Sequence, residues 1–210
     1  GGSYRYVQRI TAILGDRIRL NAPVSQVKRE GDSVWVKEAD GVVEVFDHVI
    51  LAVHSDQALQ MLADPTEAES SVLGAIQYQE NEVILHRDTA LLPENKRAWT
   101  SWNYLLLKDA PERAVLTYKM NILQGLDCRE TYCVTLNHAE AIDPDKIIGR
   151  YVYHHPVYSP DVITAQQRWG EISGVHRTHF CGAYWGYGFH EDGVNSALAV
   201  CEHFGQRLHR

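Results

Sequence analysis

The segment at positions 182–194 constrains the fold of this chain more than any other part. Its sequence is Gly-Ala-Tyr-Trp-Gly-Tyr-Gly-Phe-His-Glu-Asp-Gly-Val, and an amphipathic helix predicted over 195–208 follows it directly. Glycine allows a backbone to approach a ligand closely, and the N-terminus of a helix presents N–H groups that have no partner inside the helix. The segment therefore predicts a cofactor-binding turn.

Composition is that of an ordinary soluble globular protein. With 210 residues, 45% of them hydrophobic and 22% charged, the chain can form one large or two small domains. A net charge of -7 argues against a nucleic-acid partner, because phosphate binding needs a basic surface. The longest apolar runs, such as Val49 to Val53, are too short to span a bilayer. We expect neither a nucleic-acid partner nor a transmembrane segment.

The cysteines do not follow a disulfide or zinc pattern. They are Cys128, Cys133, Cys181 and Cys201, and none of them forms a C-x-x-C pair. A chain of this size does not need disulfides to fold, so we expect reduced thiols in a cytoplasmic protein. For the first two cysteines, a local bridge or a shared metal is the alternative to two unrelated thiols near one strand, which we favour.

The histidines invite a metal hypothesis that their spacing does not support. The densest group is His154-His155, His176 and His179. Adjacent histidines on a strand point to opposite faces, and the 176/179 pair lacks the i, i+4 spacing of a helical metal site. We expect no metal.

Hydrophobic periodicity predicts a mixed α/β (α+β) fold in which a layered sheet is joined by a mostly antiparallel one. Ser3 is the expected N-cap of the first helix, Gly15 ends it, and Asp40-Gly41 predicts a hairpin turn. We predict helices over 4–14, 56–63, 66–76 and 160–169, and strands over 18–20, 24–29, 34–38, 42–46, 48–53, 82–86, 98–107, 113–120, 131–137 and 179–183.

The glycine-rich segment resembles the C-terminal flavin-binding signature of the FAD-dependent amine oxidase superfamily. Blocks at 19–27 and 46–59 resemble the middle of the same superfamily. Blocks at 98–104, 117–121 and 134–137 are similar to those of bacterial predicted NAD/FAD-binding flavoproteins of the amine oxidase type. The resemblance implies a partial FAD-binding domain over 1–76 and 171–210, and a mostly antiparallel substrate domain over 77–170.

Members of that superfamily begin with a G-x-G-x-x-G turn that holds the FAD pyrophosphate, and this sequence lacks one. We therefore expect the C-terminal part of a longer flavoprotein, which is inactive without its N-terminal half. The alternative is a free-standing protein that has lost its nucleotide fold.

The resemblance also implies the cofactor, FAD, and residues that bind it. These are Val24, Gly182, Gly188, Phe189, His190, Glu191, Asp192, Gly193 and Val194. For each group of side chains a structural role is the alternative: the two carboxylates as an ordinary helix cap, Val24 as a plain strand residue, Phe189 as core, and His190 as a filler.

The substrate side is implied in the same way. Trp102, Tyr104 and Phe189 are expected to contact a small-molecule substrate, and Lys119 is the candidate catalytic residue, since a lysine near the flavin N5 is common in amine oxidases. A solvent-facing lysine is the alternative.

The implied reaction is removal of a hydride from a C–N or C–C bond to FAD. A desaturase or isomerase of an apolar lipid or polyene is the second hypothesis, and a non-catalytic binding module is the third. An amine site should show an aromatic cage and a carboxylate, whereas a lipid site should be a long apolar tunnel.

Overall fold

A computed structural model describes residues 2–107 and 115–208 of the chain. The chain divides into two compact units. The sheet unit comprises Gly1–Ile18 and Glu80–His155, and the glycine-loop unit comprises Arg19–Gln79 and Pro156–Arg210. This division differs from the predicted domain boundaries, because residues 1–18 group with the sheet and residues 156–170 group with the glycine loop.

Both units contain helices and short strands. The helices are α1 Tyr4–Leu14, α2 Ser55–Met61, α3 Glu67–Gly74, α4 Met120–Leu123, α5 Pro160–Gln167, α6 Trp169–Ile172 and α7 His190–His203. The strands are β1 Val24–Glu30, β2 Ser33–Glu38, β3 Val43–Phe46, β4 Val49–Leu51, β5 Tyr78–His86, β6 Trp102–Leu105, β7 Val115–Lys119, β8 Cys133–Leu136, β9 Ile147–Pro156 and β10 Thr178–Phe180. Among the described residues, no helix is long and apolar enough to cross a membrane.

In the glycine-loop unit, β1, β2 and β3 form an antiparallel meander, and β4 pairs in parallel with β10. The Asp40-Gly41 turn joins β2 to β3 as predicted, with Gly41 at a positive φ of 96° that glycine adopts without strain. The inward positions Val27 and Val34 are fully buried, and Phe180 of β10 packs in the same cluster. This cluster is the hydrophobic core of the unit.

A buried ion pair ties β1 to α3 in this unit. Arg29 donates from Nη1 to Oε1 of Glu69 at 2.6 Å and from Nη2 to Oε2 at 3.0 Å, and its Nε donates to Asp64 at 3.0 Å. Glu69 also caps its own helix by accepting from the N–H of Thr66 at 2.7 Å. Burial disfavours the charged carboxylate, but the bonds from Arg29 and Thr66 outweigh it and lower the pKa of Glu69.

In the sheet unit, the five strands lie in the order β6-β7-β8-β5-β9. β6, β7, β8 and β5 pair antiparallel in that order. The N-terminal helix α1 belongs to this unit and buries none of its residues, although its apolar residues lie on one side as predicted. Ser3 occupies the N-cap position without a side-chain hydrogen bond.

Several predicted elements need correction, although the mixed α/β fold with a mostly antiparallel sheet is confirmed. The strand expected over 18–20 is wrong, because that segment is irregular and leads to Asn21 at a positive φ of 56°. The strand expected over 98–107 is confined to β6, since a 3-10 turn occupies Lys96–Ala98. Positions 113 and 114 of another predicted strand lie outside the described residues. β9 was not predicted.

Candidate functional site

The glycine-rich segment forms a compact loop that connects β10 to α7. After Gly182 the chain makes a 3-10 turn over Ala183–Trp185, and α7 begins at His190, five positions earlier than predicted. The side-chain amide of Gln166, on α5, donates to the carbonyl oxygens of Tyr184 and Gly186 at 2.8 and 2.7 Å. Gln166 thus fixes the backbone of the loop through two hydrogen bonds within the same unit.

Three of the loop glycines are required by the chain's own packing. A Cβ at Gly182 would lie 2.4 Å from the ring of Tyr184, and a Cβ at Gly186 would lie 2.4 Å from Oδ1 of Asp192. Gly188 has a positive φ of 87°. A larger residue would therefore displace Tyr184 or Asp192 at the first two positions, and at Gly188 it would be strained by the backbone conformation.

Asp192 closes the loop onto the helix. Its Oδ2 accepts from the N–H groups of Tyr187 at 3.1 Å and Phe189 at 2.9 Å. Asp192 therefore performs the capping role that was the alternative to cofactor contact. Asp192 is the third residue of α7, and it accepts from the backbone N–H of Phe189, which is the N-cap. The helix therefore begins at the next residue, His190.

Gly193 differs from the other loop glycines. It lies inside α7, and a Cβ built there would approach nothing within 4 Å except Ala183, at an ordinary 3.9 Å. Glycine within a helix costs about 1 kcal/mol relative to alanine. Nothing among the described residues requires this cost, and the same is true of Gly170 in α6; the open Cβ position at Gly193 lets a ligand approach the first turn of α7 closely.

The remaining predicted cofactor residues lie at the surface of the first turn. Phe189, His190, Glu191 and Val194 are exposed. The first two helical N–H groups, at His190 and Glu191, have no partner within a helix of this geometry. Since the turn offers free donors, an exposed carboxylate and an unfilled Cβ position, it fits a ligand that carries both phosphates and hydroxyls.

A cavity of about 260 Å³ lies behind the loop, between α5, α6 and α7. It is lined on one side by Trp185 and Gly186 and on the other by Asn195 and Ser196. Trp185 Nε1 and the hydroxyl of Tyr184 are buried and lack a hydrogen-bond partner among the described residues. Burial raises the pKa of the Tyr184 hydroxyl.

Val24, the predicted contact for the adenine end of FAD, is the first residue of β1. The register between β1 and β2 shifts between Val24 and Gln26, so the backbone is irregular there. The side chain of Val24 packs against the hydrophobic core of its unit. The structure therefore shows a packing role for its side chain.

The cross-strand register of the sheet unit places a continuous set of uncharged side chains on one face. Trp102 is opposite Tyr118, and Tyr104 is opposite Leu116. The same face continues through β8 and β5, because directly paired residues in neighbouring strands point the same way. The further pairs are Tyr118 with Val134, Leu116 with Leu136, Leu136 with Val83, and Val134 with Leu85.

Two side-chain contacts extend this face to β9. Asn81 of β5 hydrogen bonds to His155 of β9 at 3.0 Å, so both lie on the face that carries Val83. Tyr151 and Tyr153 share the face, since their rings stack at 6.2 Å and Tyr153 meets His155 at 6.5 Å. We call the whole surface, from Trp102 on β6 to His155 on β9, the aromatic face.

On β5, β7 and β8 the opposite face is buried, and it combines polar side chains with the apolar Ile84 and Val115. His86 contacts the hydroxyl of Thr135 at 2.8 Å, which contacts the hydroxyl of Thr117 at 2.8 Å. His86 Nδ1 accepts from the N–H of Asp88, so its proton is on Nε2. Burial lowers the pKa of His86, which keeps the ring neutral. These three side chains satisfy one another's hydrogen bonds in the buried part of this face.

The register separates the predicted catalytic residue from the predicted substrate residues. Lys119 follows Tyr118 in β7, so its side chain leaves the face that Trp102 and Tyr104 share. Its Nζ lies 4.7 Å from the centroid of the Trp99 ring, a cation–π contact. Lys119 is therefore neither on the aromatic face nor simply solvent-facing.

Sequence reasoning also missed a histidine cluster in the glycine-loop unit. His179 Nε2 lies 3.3 Å from Nδ1 of His48, and its ring lies 4.9 Å from the ring of His203. Burial, with the nearby His203 and His48, lowers the pKa of His179 to about 4. Within the described ranges, no group of three or more His, Cys, Asp or Glu side chains is arranged to hold a metal ion. All four cysteines are free.

Comparison with known protein families identifies the family of this chain. The family described as flavin-containing amine oxidoreductase matches residues 1–118, which is more than half of the chain. The chain therefore belongs to this family. A search of curated proteins found no match.

Solved structures share the fold at low identity. A CLA-producing fatty acid isomerase from P. acnes is 17% identical, with a TM-score of 0.65 over 96% of this chain and 52% of that one. Putrescine oxidase bound to putrescine is 13% identical, with a TM-score of 0.65 over 98% and 53%. Cyclohexylamine oxidase from Brevibacterium oxydans IH-35A is 15% identical, with a TM-score of 0.59 over 98% and 54%.

The chain thus spans about half the length of the structures that it matches. The family is flavin-containing, which confirms the predicted flavin cofactor at the level of the family.

Proposed function

We propose that this chain is the C-terminal part of an FAD-dependent oxidoreductase of the amine oxidase type, which transfers a hydride from a C–N or C–C bond of a small molecule to the flavin. Family membership supports the cofactor class. The observation that carries the site is Gly193, a helical glycine whose missing side chain serves no contact within the described residues.

The first turn of α7 would hold the cofactor. The free N–H groups at the helix entry are suited to an anionic or strongly polar group, and the Glu191 carboxylate can accept hydrogen bonds from hydroxyls. Gly193 allows the ligand to approach the helix, while Asp192 holds the loop that precedes it. The chemistry available from bound FAD is acceptance of a hydride from the substrate.

The substrate would contact the aromatic face through Trp102 and Tyr104. Their exposure supports this role, because 49% of Trp102 and 60% of Tyr104 remain accessible. Lys119 would not contact the substrate alongside Trp102 and Tyr104, because its side chain lies on the opposite face and contacts Trp99.

The N-terminal half of the protein is the proposed partner of this chain. The matched structures are about twice as long, and 1–18 contains an amphipathic helix that buries none of its residues here. An FAD pyrophosphate site in that half would complete the cofactor's binding.

The test is to express the full-length protein, release its cofactor by denaturation, and identify it by chromatography and mass spectrometry. We expect FAD in a near one-to-one ratio. Anaerobic mixing with candidate substrates should then bleach the flavin absorbance. A colourless product that takes up no added FAD would contradict the proposal, and a flavin that is bound but reduced by no substrate would favour a non-catalytic module.

A further inference from the structure

The second half of the glycine-rich loop is held by hydrogen bonds more than by burial. Tyr187 is 79% exposed, and Phe189 is 55% exposed. The side-chain amide of Gln166 donates to the carbonyl oxygens of Tyr184 at 2.8 Å and Gly186 at 2.7 Å. Because a carbonyl oxygen can only accept, the atom of Gln166 that contacts both must be its NH₂ nitrogen. Both hydrogens of this amide are therefore used on the loop.

One peptide group of the loop is bound at both ends. Between Gly186 and Tyr187, the C=O accepts from Gln166. The N–H of the same peptide donates to Oδ2 of Asp192 at 3.1 Å. Since the C=O and N–H of a trans peptide point in opposite directions, the two side chains contact the loop from opposite sides. Gly186 permits this approach, because a Cβ there would lie 2.4 Å from Oδ1 of Asp192.

Asp192 connects this peptide to the proposed cofactor site. It is the third residue of α7, and its Oδ2 also accepts from the N–H of Phe189, the N-cap. If the peptide at Tyr187 turned away, Asp192 would lose one of its two donors, and the entry of the helix would lose part of its cap. The geometry of the first turn, which contains the open Cβ position of Gly193, therefore depends on the hold that Gln166 has on the loop.

Gln166 projects from a helix that core packing holds in place. The hydroxyl of Ser159 caps α5 by accepting from the N–H of Val162 at 3.4 Å. Val162 and Ala165 are only 1% and 3% exposed. Val162 also packs in one cluster with the ring of Tyr184. The position of the Gln166 amide is thus determined by the core of its unit, and the loop is fixed relative to that core.

We propose that Gln166 is a positioning residue for the flavin cofactor, and that it acts through the loop and Asp192. This inference rests on the proposed function, because that function assigns the first turn of α7 to FAD. It also assigns α5 to the support of the cofactor site, although α5 lies within 77–170, the range expected to form the substrate domain. A loop that is already held when the ligand arrives spares the ligand the cost of ordering it.

The first experiment removes the donor. Gln166→Met keeps the length of the side chain but has no N–H group, so the released loop would adopt its binding geometry only part of the time. With two neutral hydrogen bonds lost, FAD should bind about tenfold more weakly. The measurement is titration of the cofactor-free, full-length protein with FAD, followed by flavin fluorescence. Gln167→Met is the control, since the next residue of α5 is exposed, and it should leave FAD affinity unchanged.

The second experiment makes the hold depend on pH. In Gln166→Glu, a carboxylate would face two carbonyl oxygens and repel them, whereas the protonated carboxyl can donate to one. The pKa of the introduced carboxyl should therefore lie above its ordinary value of about 4.3 when the loop is held, so FAD binding takes up a proton. FAD affinity relative to the unsubstituted protein should rise about fivefold from pH ~8 to pH ~5. This ratio removes the titration of groups that both proteins share beside the loop, namely His190, Glu191 and Asp192.

Gln167→Glu is the matched control for this pH dependence. It introduces the same carboxyl at the exposed neighbouring position, so its FAD affinity relative to the unsubstituted protein should be near one at both pH values. Because Gln166→Glu regains a donor at low pH, it provides a result even if Gln166→Met does not fold.

Urea unfolding of the cofactor-free proteins at the same pH values separates positioning from stability. If Gln166 only stabilised the fold, both Gln166 variants would unfold more easily but bind FAD with unchanged affinity, and the ratio would not vary with pH. That result would overturn the inference alone. If the unsubstituted full-length protein takes up no FAD, the proposed function fails and this inference fails with it.

Discussion

The two units of this chain use their apolar side chains differently. In the glycine-loop unit, Val27, Leu73 and Phe180 are fully buried in one aliphatic and aromatic cluster. In the sheet unit, the buried face carries the polar chain from His86 to Thr117, and large aromatic side chains such as Tyr104 and Tyr153 remain exposed on the other face. Apolar residues such as Ile84 and Val115 are buried in the sheet unit as well, but there they share the buried face with hydrogen-bonded polar side chains, and large aromatic rings remain exposed on the other face.

The largest expected difference in stability between the two units concerns the buried ion pair of the glycine-loop unit, Arg29–Glu69. Arg29→Met should lower the free energy of unfolding by about 3–5 kcal/mol, because Glu69 would then be buried without its partner. Urea unfolding measures the effect. The matched control is Arg150→Met, which removes an exposed pair with Glu82 and should cost less than about 1 kcal/mol. Similar losses in both variants would show that burial does not determine the value of the pair.

The histidine cluster predicts acid sensitivity in the same unit. The pKa of His179 is about 4 when folded, against an ordinary value of 6.5, so below pH 6.5 the unfolded chain takes up a proton that the folded chain does not. Stability should therefore fall by about 2 kcal/mol between neutral pH and pH ~5, and the loss should be complete below pH ~4.

Replacement of His179 tests the source of this pH dependence. His179→Gln should flatten the stability profile between neutral pH and pH ~5, whatever its effect on stability at neutral pH. His176→Asn is the control, since His176 is exposed at a positive φ that asparagine tolerates. The explanation fails if His179→Gln retains the full slope.

In the sheet unit, the free energy of unfolding should depend on the buried hydrogen bonds that join His86, Thr135 and Thr117. Thr135→Val keeps the side-chain shape but removes the hydroxyl that contacts both His86 and Thr117. We expect a loss of at least about 1 kcal/mol, because two buried groups lose a partner. Thr164→Val, at an exposed position of α5, should change stability by less than about 0.5 kcal/mol. Thermal or urea unfolding of both variants checks this difference.

A smaller change in stability than in the core is expected on the aromatic face. Trp102→Ala should cost about 1–3 kcal/mol, since only half of the side chain is buried, in edge contact with Tyr118. Phe180→Ala, in the core of the other unit, should cost about 3–5 kcal/mol. Trp102→Ala should nevertheless weaken substrate binding by the full-length protein. A large loss of stability from Trp102→Ala would mean that the face is structural.

Local patterns predicted the elements that depend on neighbouring residues. The helix over Tyr4–Leu14 and the turn at Asp40-Gly41 follow from a stripe of apolar residues and from turn chemistry. The start of α7 was misplaced because Asp192 caps the helix from inside a segment that was interpreted as a loop. The glycines at 182–193 looked alike in sequence, and only the structure separates those that the fold requires from Gly193.

Features that depend on register could not be predicted in this way. The aromatic face combines residues that are up to 74 positions apart, and a shift by one residue would turn its rings to the other side. The Arg29–Glu69 pair and the His48–His179 contact likewise join residues that are distant in sequence. The alternation of Tyr151 and Tyr153 was the available signal for β9, and it identifies a strand but not its neighbours.

The most direct test of the account is the flavin affinity of Gly193→Ala in the full-length protein. The substitution should raise the free energy of unfolding of the cofactor-free protein by about 0.5–1 kcal/mol, because alanine favours a helix. It should weaken FAD binding by roughly tenfold, a loss of about 1.4 kcal/mol, because the added methyl group occupies space that the ligand needs. Gly170→Ala, where a Cβ also meets nothing, is the control and should leave FAD affinity unchanged. Unchanged FAD affinity in Gly193→Ala would contradict the assignment of the first turn of α7 as the cofactor site.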